Sequence, residues 1–460
     1  MDTEPFRARR ARLAAALCAA GGGVAIVPTA TERLRNADNP YPFRPDSTFH
    51  YLTGFDEPDA WLLLEADGRA TLACRAKDPE RERWEGPTLG PEAATERLGV
   101  EEAVPLDELD ATAIDRLSGQ PAAWFPFGVD GLAGRVEGWL AALRSRTRRG
   151  VAAPSAVRDL APLVGELRLV KDATEVATMR RAGAISADAH ARAMRFCAAR
   201  FRAQPDSSVR EYEIEAELLH EFRRRGAQGV AYAPIVAAGS NACILHYPAG
   251  NGALRAGDLC LIDAGCELDG YASDITRTFP GDGRFRGPQR ALYDLVHAAQ
   301  AAAIAATKPG ARQRDAHHAA VRVIAQGLLD LGLLDRGEGD LDAVIEHATY
   351  REFFMHGTGH WLGRDVHDAG NYYAVDEPPV DEPDGLGGRI VRPPARVLQP
   401  GMVVTIEPGL YVHPKEGRDE RWWHIGIRIE DDAVVTSEGC ELISRGVPAD
   451  AAGIEALMRG

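Results

Sequence analysis

The sequence predicts an α/β protein of two domains, the second built from two related halves. Its 460 residues are too many for one ordinary hydrophobic core. Residues 1–160 alternate short apolar segments (GVAIVP, WLLLEA, ATLAC) with Ala-, Leu- and Arg-rich stretches, a pattern typical of strands and helices in an α/β domain. The later part of the chain contains an internal repeat. We therefore expect domains at residues 1–165 and 166–460.

Composition and charge disfavour several function classes. The chain is 45% hydrophobic and 26% charged, as expected for a globular protein with a substantial core. Its net charge of -15 and its pI near 5.4 disfavour nucleic acids and anionic membranes as partners, because phosphate groups bind clustered positive charge. No segment approaches the roughly 20 apolar residues of a membrane span. Small molecules or peptides are the expected partners.

The cysteines and the N-terminal residues indicate the compartment. Seven cysteines with no C-x-x-C pair favour a reducing environment over a disulfide framework, so we expect a cytoplasmic protein. Arginines ahead of the apolar run Leu13–Ala20 are also found in signal peptides. That run is short, Asp2 and Glu4 precede it, and GVAIVP follows as a predicted strand. We therefore expect no signal peptide.

Two further segments of the second domain have recognisable patterns, one at its start and one between its halves. After the basic connection RSRTRRGVAAPSAVRD, a long helix is predicted, with Asp172 as its N-cap and Glu175 as the partner in a capping box. Between the halves, residues 375–395 are rich in Pro, Gly and acids. This composition predicts a long surface loop and neither a strand nor a helix.

Two aspartates interrupt the apolar segment LCLIDAGCELDGYASDITRTF of residues 259–279. On a helix, Asp263 and Asp274 would lie about 16 Å apart along the axis and could not meet. In a β-hairpin they are direct cross-strand partners if Leu268-Asp269 forms the loop, and diagonal neighbours if Asp269-Gly270 does. Two like charges about 5 Å apart at an effective dielectric near 20 repel by roughly 3 kcal/mol. The pair predicts a protonated carboxyl or a bound cation, and a metal ion is the first hypothesis.

The second domain repeats this motif. LRAGDLCLIDAG and LQPGMVVTIEPG share Leu, Gly, Ile, an acid and Gly at the same positions, so Asp263 corresponds to Glu407. A second predicted strand follows each copy and carries one acid, Asp274 in YASDITRTF and Glu430 in HIGIRIEDD. In the latter strand, Arg428 and Glu430 alternate with isoleucines. The pattern predicts two halves that give two carboxylates each to one centre, with Arg428 beside them.

Histidines cluster between these halves in FMHGTGHWLGRDVHDAG, at His356, His360 and His367. Their spacing alone is a weak signal, and the H-E-x-x-H motif of thermolysin-like zinc sites is absent. Four carboxylates and one imidazole suit two divalent ions, most readily Mn²⁺, with Co²⁺, Fe²⁺ or Zn²⁺ as alternatives. A hydroxide that bridges such ions is a strong nucleophile at neutral pH, so the set predicts hydrolysis. A structural calcium site would need a contiguous acidic loop, which the sequence lacks.

These motifs resemble those of the pita-bread metallopeptidases, and specifically of the bacterial Xaa-Pro aminopeptidases. The resemblance rests on LIDAGCELDGYASDITRTFPGDGRF, FMHGTGHWLGRDVHD, LQPGMVVTIEPGLYV and HIGIRIEDD, and FRARRARL, YPFRPDSTFHYLTGFDEPDAWLLL and ELRLVKDATEVATMRRAG extend it to the whole chain. It implies a creatinase-like α/β domain followed by a methionine-aminopeptidase-like catalytic domain with pseudo-twofold halves. The implied activity is release of the N-terminal residue from peptides with proline second, by attack of a hydroxide bridging two metal ions.

The resemblance also implies which residues bind the metal ions. Asp263 would bind one ion, and Asp274 and Glu430 would bridge both. His360 and Glu407 would complete the second ion's ligands. Glu407 would in addition carry a proton from the nucleophile to the leaving proline nitrogen, because a prolyl amine leaves poorly as an anion.

Other residues would act on the substrate or on the ligands. By the same resemblance, His246 and His367 would stabilise the scissile carbonyl and its tetrahedral intermediate, and His356 would line the pocket for proline. Tyr232 and Arg428 would orient the first aspartate.

Three alternatives share this fold. A prolidase, which cleaves only Xaa-Pro dipeptides, has the same ligands and mechanism. Peptide- or histone-binding modules have lost the ligands, and creatinase-type amidinohydrolases act without metal, so the complete ligand set disfavours both. The sequence leaves open whether residues 375–395, longer than the corresponding family segment, line the cleft exit or partly close it.

The expected oligomer is a dimer or tetramer of identical chains, as the resemblance implies. In RWEGPTLG, Trp84 matches a tryptophan that reaches a neighbouring subunit's site in similar enzymes. Here Pro87-Thr88 replace the usual basic residues, which puts the subunit contact in doubt.

Overall fold

The computed structural model describes residues 3–334 and 340–460. The chain divides into two compact units, residues 1–167 and 168–460, and we propose that these are the two domains expected from the sequence. Across the described residues, the helices are all too short or too polar to cross a membrane.

The first unit has an α/β architecture. Strands β6, β5, β4, β1, β7 and β8 lie in that order in one mixed sheet. The three apolar segments predicted as strands are confirmed as β1, β4 and β5. The elements in chain order are α1 Glu4–Ala19, β1 Val24–Pro28, β2 Leu34–Asn36, β3 Asn39–Pro40, α2 Ser47–Thr53, β4 Trp61–Glu65, β5 Ala70–Cys74, α3 Pro79–Glu85, α4 Gly90–Leu98, β6 Glu102–Pro105, α5 Leu109–Leu117, β7 Ala122–Phe125, α6 Leu132–Arg144, β8 Ala156–Asp159 and α7 Ala161–Leu169.

This sheet separates two apolar cores. Successive side chains of β1 point to opposite faces, so Ala25 and Val27 pack in one core and Ile26 packs in the other. The apolar run near the N-terminus lies in α1, where Leu13 and Leu17 are fully buried against the first of these cores. The helices therefore cover both faces of the sheet.

The second unit carries the repeated motif. Its elements in chain order are α8 Ala173–Ala203, β9 Ser208–Arg210, α9 Glu211–Arg224, β10 Gly229–Val230, β11 Ile235–Ala238, β12 Ala253–Arg255, β13 Leu259–Asp263, β14 Cys266–Leu268, β15 Tyr271–Ala272, β16 Thr276–Pro280, α10 Gly287–Ala306, α11 Asp315–Asp330, α12 Leu341–Glu346, β17 Val380–Pro383, β18 Arg389–Arg392, β19 Val403–Ile406, β20 Gly409–Val412, β21 Ile425–Arg428, β22 Asp431–Val435, β23 Cys440–Leu442 and α13 Ala451–Arg459.

The long helix α8 begins as the sequence predicts. The Asp172 side chain accepts hydrogen bonds from the backbone N–H groups of Thr174 and Glu175, both at 2.9 Å. In return, the Glu175 carboxylate accepts from the backbone N–H of Asp172 at 2.9 Å. The predicted capping box is confirmed.

The hairpin with the two aspartates adopts one of the two predicted registers. Leu268 pairs with Tyr271, so Asp269-Gly270 forms the loop. Both loop residues have positive φ, 51° and 75°, which is the geometry of a type I′ turn. Further along the hairpin, Asp263 pairs with Thr276. Asp274, two residues before Thr276, is therefore the diagonal neighbour of Asp263.

The two copies of the repeat form equivalent strands. The first copy is β13, which ends at Asp263, and the second is β19, which ends immediately before Glu407. The predicted strand HIGIRIEDD is interrupted. Its first part, β21, pairs with β20, and its second part, β22, pairs with β19. Glu430 lies at this interruption, after β21 ends at Arg428 and before β22 begins at Asp431. It belongs to neither strand pair.

The prediction that residues 375–395 contain no strand is wrong. Strands β17 and β18 pair antiparallel, with Glu382 opposite Ile390. We call residues 380–392 the inserted hairpin. Ion pairs hold it in place: Glu382 accepts from Arg314 at 2.9 Å and from Arg392 at 2.6 Å. Ion pairs and not buried apolar side chains hold these strands. Their polar composition is therefore typical of a loop, which explains the wrong prediction.

Candidate metal centre

Strand ends from both halves meet at one point in the second unit. Asp263 ends β13 and Asp274 precedes β16 in the first half, while Glu407 follows β19 and Glu430 precedes β22 in the second half. His360 lies in the segment between the halves. The fold therefore brings together acids that are far apart in the sequence.

Three of the predicted ligands form the tightest group. Asp274, His360 and Glu430 each offer a donor atom within 4.8 Å of the other two. The Nε2 atom of His360 lies 3.4 Å from Asp274 Oδ2 and 3.8 Å from Glu407 Oε1. Its Nδ1 atom lies 3.0 Å from the carbonyl oxygen of Trp361. A hydrogen bond to that carbonyl places the ring proton on Nδ1 and leaves Nε2 as an electron-pair donor toward the carboxylates.

Asp263 is adjacent to this group but is bound by two other side chains. Arg428 donates from Nη2 to Asp263 Oδ2 at 2.6 Å. The Tyr232 hydroxyl lies 2.5 Å from Asp263 Oδ1 and 2.5 Å from Asp274 Oδ1. One hydroxyl has one hydrogen and cannot donate to both carboxylates. The second contact requires a proton on a carboxyl group or a cation between the acids.

The electrostatics of the centre lead to the same conclusion. Burial, and next the charge of Asp263, raise the pKa of Asp274 well above its ordinary value. Burial and then Asp274 do the same to the pKa of Glu430. Burial and Glu430 raise the pKa of Glu407 to about 8. Among the described residues, Arg428 lowers these three pKa values but does not outweigh burial and the neighbouring acids.

Divalent ions fit this donor set. Carboxylate oxygens and one imidazole nitrogen are the ligands that hard and borderline divalent cations prefer. A cation would also remove the repulsion that raises the three carboxyl pKa values. The residues present therefore match the chemistry of a metal centre, and one of them, Arg428, holds Asp263 in orientation.

The three remaining predicted histidines differ in their environments. His356 packs against Tyr411, with its Nε2 atom 2.9 Å from the Tyr411 hydroxyl, and burial lowers its pKa to about 3. His367 is exposed and its ring lies 4.2 Å from the ring of His360, centroid to centroid. Burial of part of the ring, then His360 and His246, lower the pKa of His367. His246 is exposed on a turn after Ile244.

Sequence reasoning missed three residues of the centre. Thr276 donates from its hydroxyl to Glu430 at 2.7 Å, and the Tyr411 hydroxyl accepts from Arg428 at 2.8 Å. Asp432 accepts from the backbone N–H of Asp274 at 3.1 Å. Thr276 lies two residues after Asp274 on the same strand face, so period-two reasoning was a usable signal. Asp432 lies two residues after Glu430 and carries the same signal, whereas Tyr411 carries none, because only the pairing of distant strands brings it here.

Family profiles match most of the chain. The profile "Metallopeptidase family M24" matches residues 177–437, and "Aminopeptidase P, N-terminal domain" matches residues 6–124. The first match contains the carboxylates and histidines described above.

Individual proteins resemble the chain over its full length. The Xaa-Pro aminopeptidase of Escherichia coli is 41% identical over 95% of this chain and 94% of its own, and that of Haemophilus influenzae is 40% identical over 100% and 98%. Among solved structures, an aminopeptidase of Pseudomonas aeruginosa has a TM-score of 0.90 and 43% identity, covering 100% of this chain and 98% of its own. A variant Escherichia coli aminopeptidase P in complex with substrate has a TM-score of 0.90 and 39% identity, with the same coverage.

Proposed function

Since this chain belongs to metallopeptidase family M24 and has the Xaa-Pro aminopeptidase activity of the aminopeptidase P group, we propose that the centre described above holds the metal ions required for hydrolysis. The proposed ligands are Asp263, Asp274, His360, Glu407 and Glu430. The observation that carries this proposal is the group of Asp274, His360 and Glu430, whose two acids are buried and keep raised pKa values although Arg428 lies nearby. We propose two Mn²⁺ ions, because carboxylate-rich sets favour hard divalent ions.

Bound divalent ions supply an activated water and polarise the scissile carbonyl. The protein's own residues do the rest. Glu407, which is largely buried and lies 3.8 Å from His360, would accept a proton from the attacking water and deliver it to the proline nitrogen. Burial and the neighbouring Glu430 raise its pKa to about 8, which favours proton uptake by this carboxylate.

The histidines are proposed to act on the substrate. His367 and His246 are both exposed, and the His367 ring lies 4.2 Å from that of His360; both would donate hydrogen bonds to the oxygen that becomes negative during attack. His356, held by Tyr411, would line the pocket for the proline ring. The free amino group of the peptide would lie beside Asp263, where negative charge attracts it. Tyr232 and Arg428 keep that aspartate in place.

We also propose that the protein is a cytoplasmic homo-oligomer. All seven cysteines are unpaired thiols, and five of them are buried, which suits a reducing compartment. Trp84 is 87% exposed, as expected of a side chain that contacts another subunit. Light scattering on the purified protein would give a dimer or tetramer mass if this is correct, and a monomer mass would refute it.

The experiment that tests the substrate is a comparison of kcat/KM with Mn²⁺ present. Arg-Pro-Pro and longer peptides are compared with the dipeptides Gly-Pro and Ala-Pro, and with peptides that carry alanine in second position. We expect cleavage of tripeptides and longer chains that have proline second. Activity confined to dipeptides would transfer the assignment to prolidase. Equal cleavage of the alanine peptides would reject proline specificity.

A further inference from the structure

A cavity of about 310 Å³ lies between the inserted hairpin and the candidate active site. The hairpin turn contributes Asp384 and Gly385 to its wall, and helix α11 contributes Arg314 and His317. The cavity is also lined by His356, the residue proposed to contact proline. The cavity therefore adjoins the proposed pocket for proline.

The hairpin is fixed as a wall of this cavity and not loosely attached. Arg314 lines the cavity and pairs with Glu382 on β17, and Arg392 on β18 pairs with the same carboxylate. The turn is closed by Asp384, whose Oδ1 atom accepts from the backbone N–H groups of Leu386 at 2.6 Å and Gly388 at 2.9 Å. These backbone hydrogen bonds, and after them the nearby charge of Arg351, lower the pKa of Asp384.

One cation of the cavity wall has no acid in direct contact among the described residues, although Asp384 lies close enough for the two charges to attract. In the ranges 3–334 and 340–460, Arg351 forms no ion pair within 4 Å, and its Nη2 atom donates to the carbonyl oxygen of Met355 at 2.8 Å. Guanidinium groups pair with carboxylates through two parallel hydrogen bonds. A volume near 310 Å³ is at the lower limit of small-molecule sites, which suits one or two amino-acid residues and excludes a folded partner.

We propose that this cavity binds the residues that follow proline in a short peptide, and that Arg351 pairs with the peptide's C-terminal carboxylate. The inserted hairpin forms the outer wall and sets the preferred length to tripeptides and tetrapeptides. This inference rests on the proposed function, since it assigns to His356 the side of the site that holds proline. According to this inference, the inserted hairpin lines the exit of the cleft. The sequence alone leaves open whether it lines that exit or partly closes it.

The test compares Ala-Pro-Ala with its C-terminal amide, which differs only in the terminal charge. We expect the wild-type protein with Mn²⁺ to cleave the acid about tenfold more efficiently in kcat/KM, because a charged hydrogen bond is lost in the amide. In Arg351→Gln this ratio should fall to about one, and Arg351→Lys should keep part of it. The matched control is Arg389→Gln, since Arg389 is exposed on the same hairpin and, within residues 3–334 and 340–460, forms its ion pair with Asp381 alone.

A ten-residue peptide with proline second completes the design. Its carboxylate cannot reach Arg351, so Arg351→Gln should leave its kcat/KM within about twofold of the wild-type value. Equal cleavage of acid and amide by the wild-type protein overturns the inference, and this comparison needs no variant to fold. An unchanged ratio in Arg351→Gln also overturns it. Absence of hydrolysis of every Xaa-Pro peptide by the wild-type protein would instead refute the proposed function.

Discussion

Glu430 and Asp431 are neighbours in the chain and both are buried, but their carboxylates have opposite environments. Burial, then Asp274 and Asp263, raise the pKa of Glu430 well above its ordinary value. Burial acts on Asp431 in the same direction, yet Arg277 and Arg445 outweigh it and lower the pKa of that carboxyl. The guanidinium groups lie 2.8 Å and 2.7 Å from its oxygens.

The different environments of Glu430 and Asp431 indicate a structural role for one carboxylate and a functional role for its neighbour. Asp431 is compensated inside the protein, so its ion pairs stabilise the fold and need nothing from solution. Glu430 and Asp274 face each other without an equivalent cation, a state that costs free energy unless one binds from outside. We propose that in this pair the compensated acid, Asp431, is structural and that the other, Glu430, serves the metal centre.

Among the variants that test this comparison between the two kinds of acid, we expect the largest loss of activity in Asp274→Asn. The substitution keeps size and shape but removes a charge that we propose bridges two ions. The kcat/KM for Xaa-Pro peptides should fall by roughly 10³-fold or more, while the far-UV circular dichroism spectrum stays unchanged. The matched control is Asp269→Asn in the turn of the same hairpin, which gives the favoured Asn-Gly pair and should retain wild-type activity. Normal turnover by a metal-depleted Asp274→Asn protein would show that the bridging role is wrong.

The variant Arg277→Met tests the acid that the fold compensates, Asp431. Arg277 and Asp431 are both fully buried, and removal of Arg277 leaves the buried carboxylate with Arg445 as its one remaining cation among the described residues. The free energy of unfolding in urea should fall by about 3–5 kcal/mol. Arg286→Met, which removes a partly exposed ion pair with Asp282, serves as the control and should change it by less than about 1 kcal/mol. Equal effects in the two variants would remove the distinction between the two kinds of acid.

A third variant separates the ligands from residues that act on the substrate. In His367→Ala we expect kcat to fall by about 10²-fold with the metal content unchanged, because the histidine is proposed to stabilise the oxygen of the transition state. Loss of metal from this variant would make His367 a ligand instead. Elemental analysis and steady-state kinetics on one preparation distinguish the two results.

The sequence indicates the candidate ligand acids more clearly than it indicates the residues that hydrogen-bond them. The paired acids of the repeat, the capping box of Asp172 and the hairpin of Asp263 and Asp274 follow from local patterns, and the structure contains all three. The sequence leaves two registers of that hairpin open, because either loop places both carboxylates on one face. Positive φ at Asp269 and Gly270 decides between them.

Other features depend on partners that are distant in the sequence. Tyr411 reaches Arg428 because β20 and β21 pair, and it reaches His356 where its backbone N–H donates to the carbonyl oxygen of Phe353 at 2.9 Å. The inserted hairpin depends on Arg314, which lies outside residues 375–395 and gives no sign in that segment. Propensity and periodicity describe neighbours along the chain, so interactions of this kind are not visible to them.

The smallest expected effect is a pH dependence of stability at a second compensated acid, Asp368. Burial alone would raise its pKa, but Lys171 and Arg168 outweigh burial and lower it. A depressed carboxyl pKa contributes stability that is complete above the unfolded value of about 4 and is lost as the pH falls through the lower folded value. The difference in unfolding free energy between wild type and Asp368→Asn should therefore be constant near neutrality and shrink below about pH 4. A difference that grows on acidification would contradict this assignment.

Removal and return of the metal tests the central claim most directly. The protein is dialysed against a chelator, its metal content is measured, and hydrolysis of an Xaa-Pro tripeptide is followed as Mn²⁺ is added back. We predict that activity disappears with the metal and returns with it. The melting temperature should also rise on addition of Mn²⁺, by an amount that corresponds to about 2.7 kcal/mol at a hundred times the dissociation constant. Full hydrolysis by a sample shown to be free of metal would contradict the account.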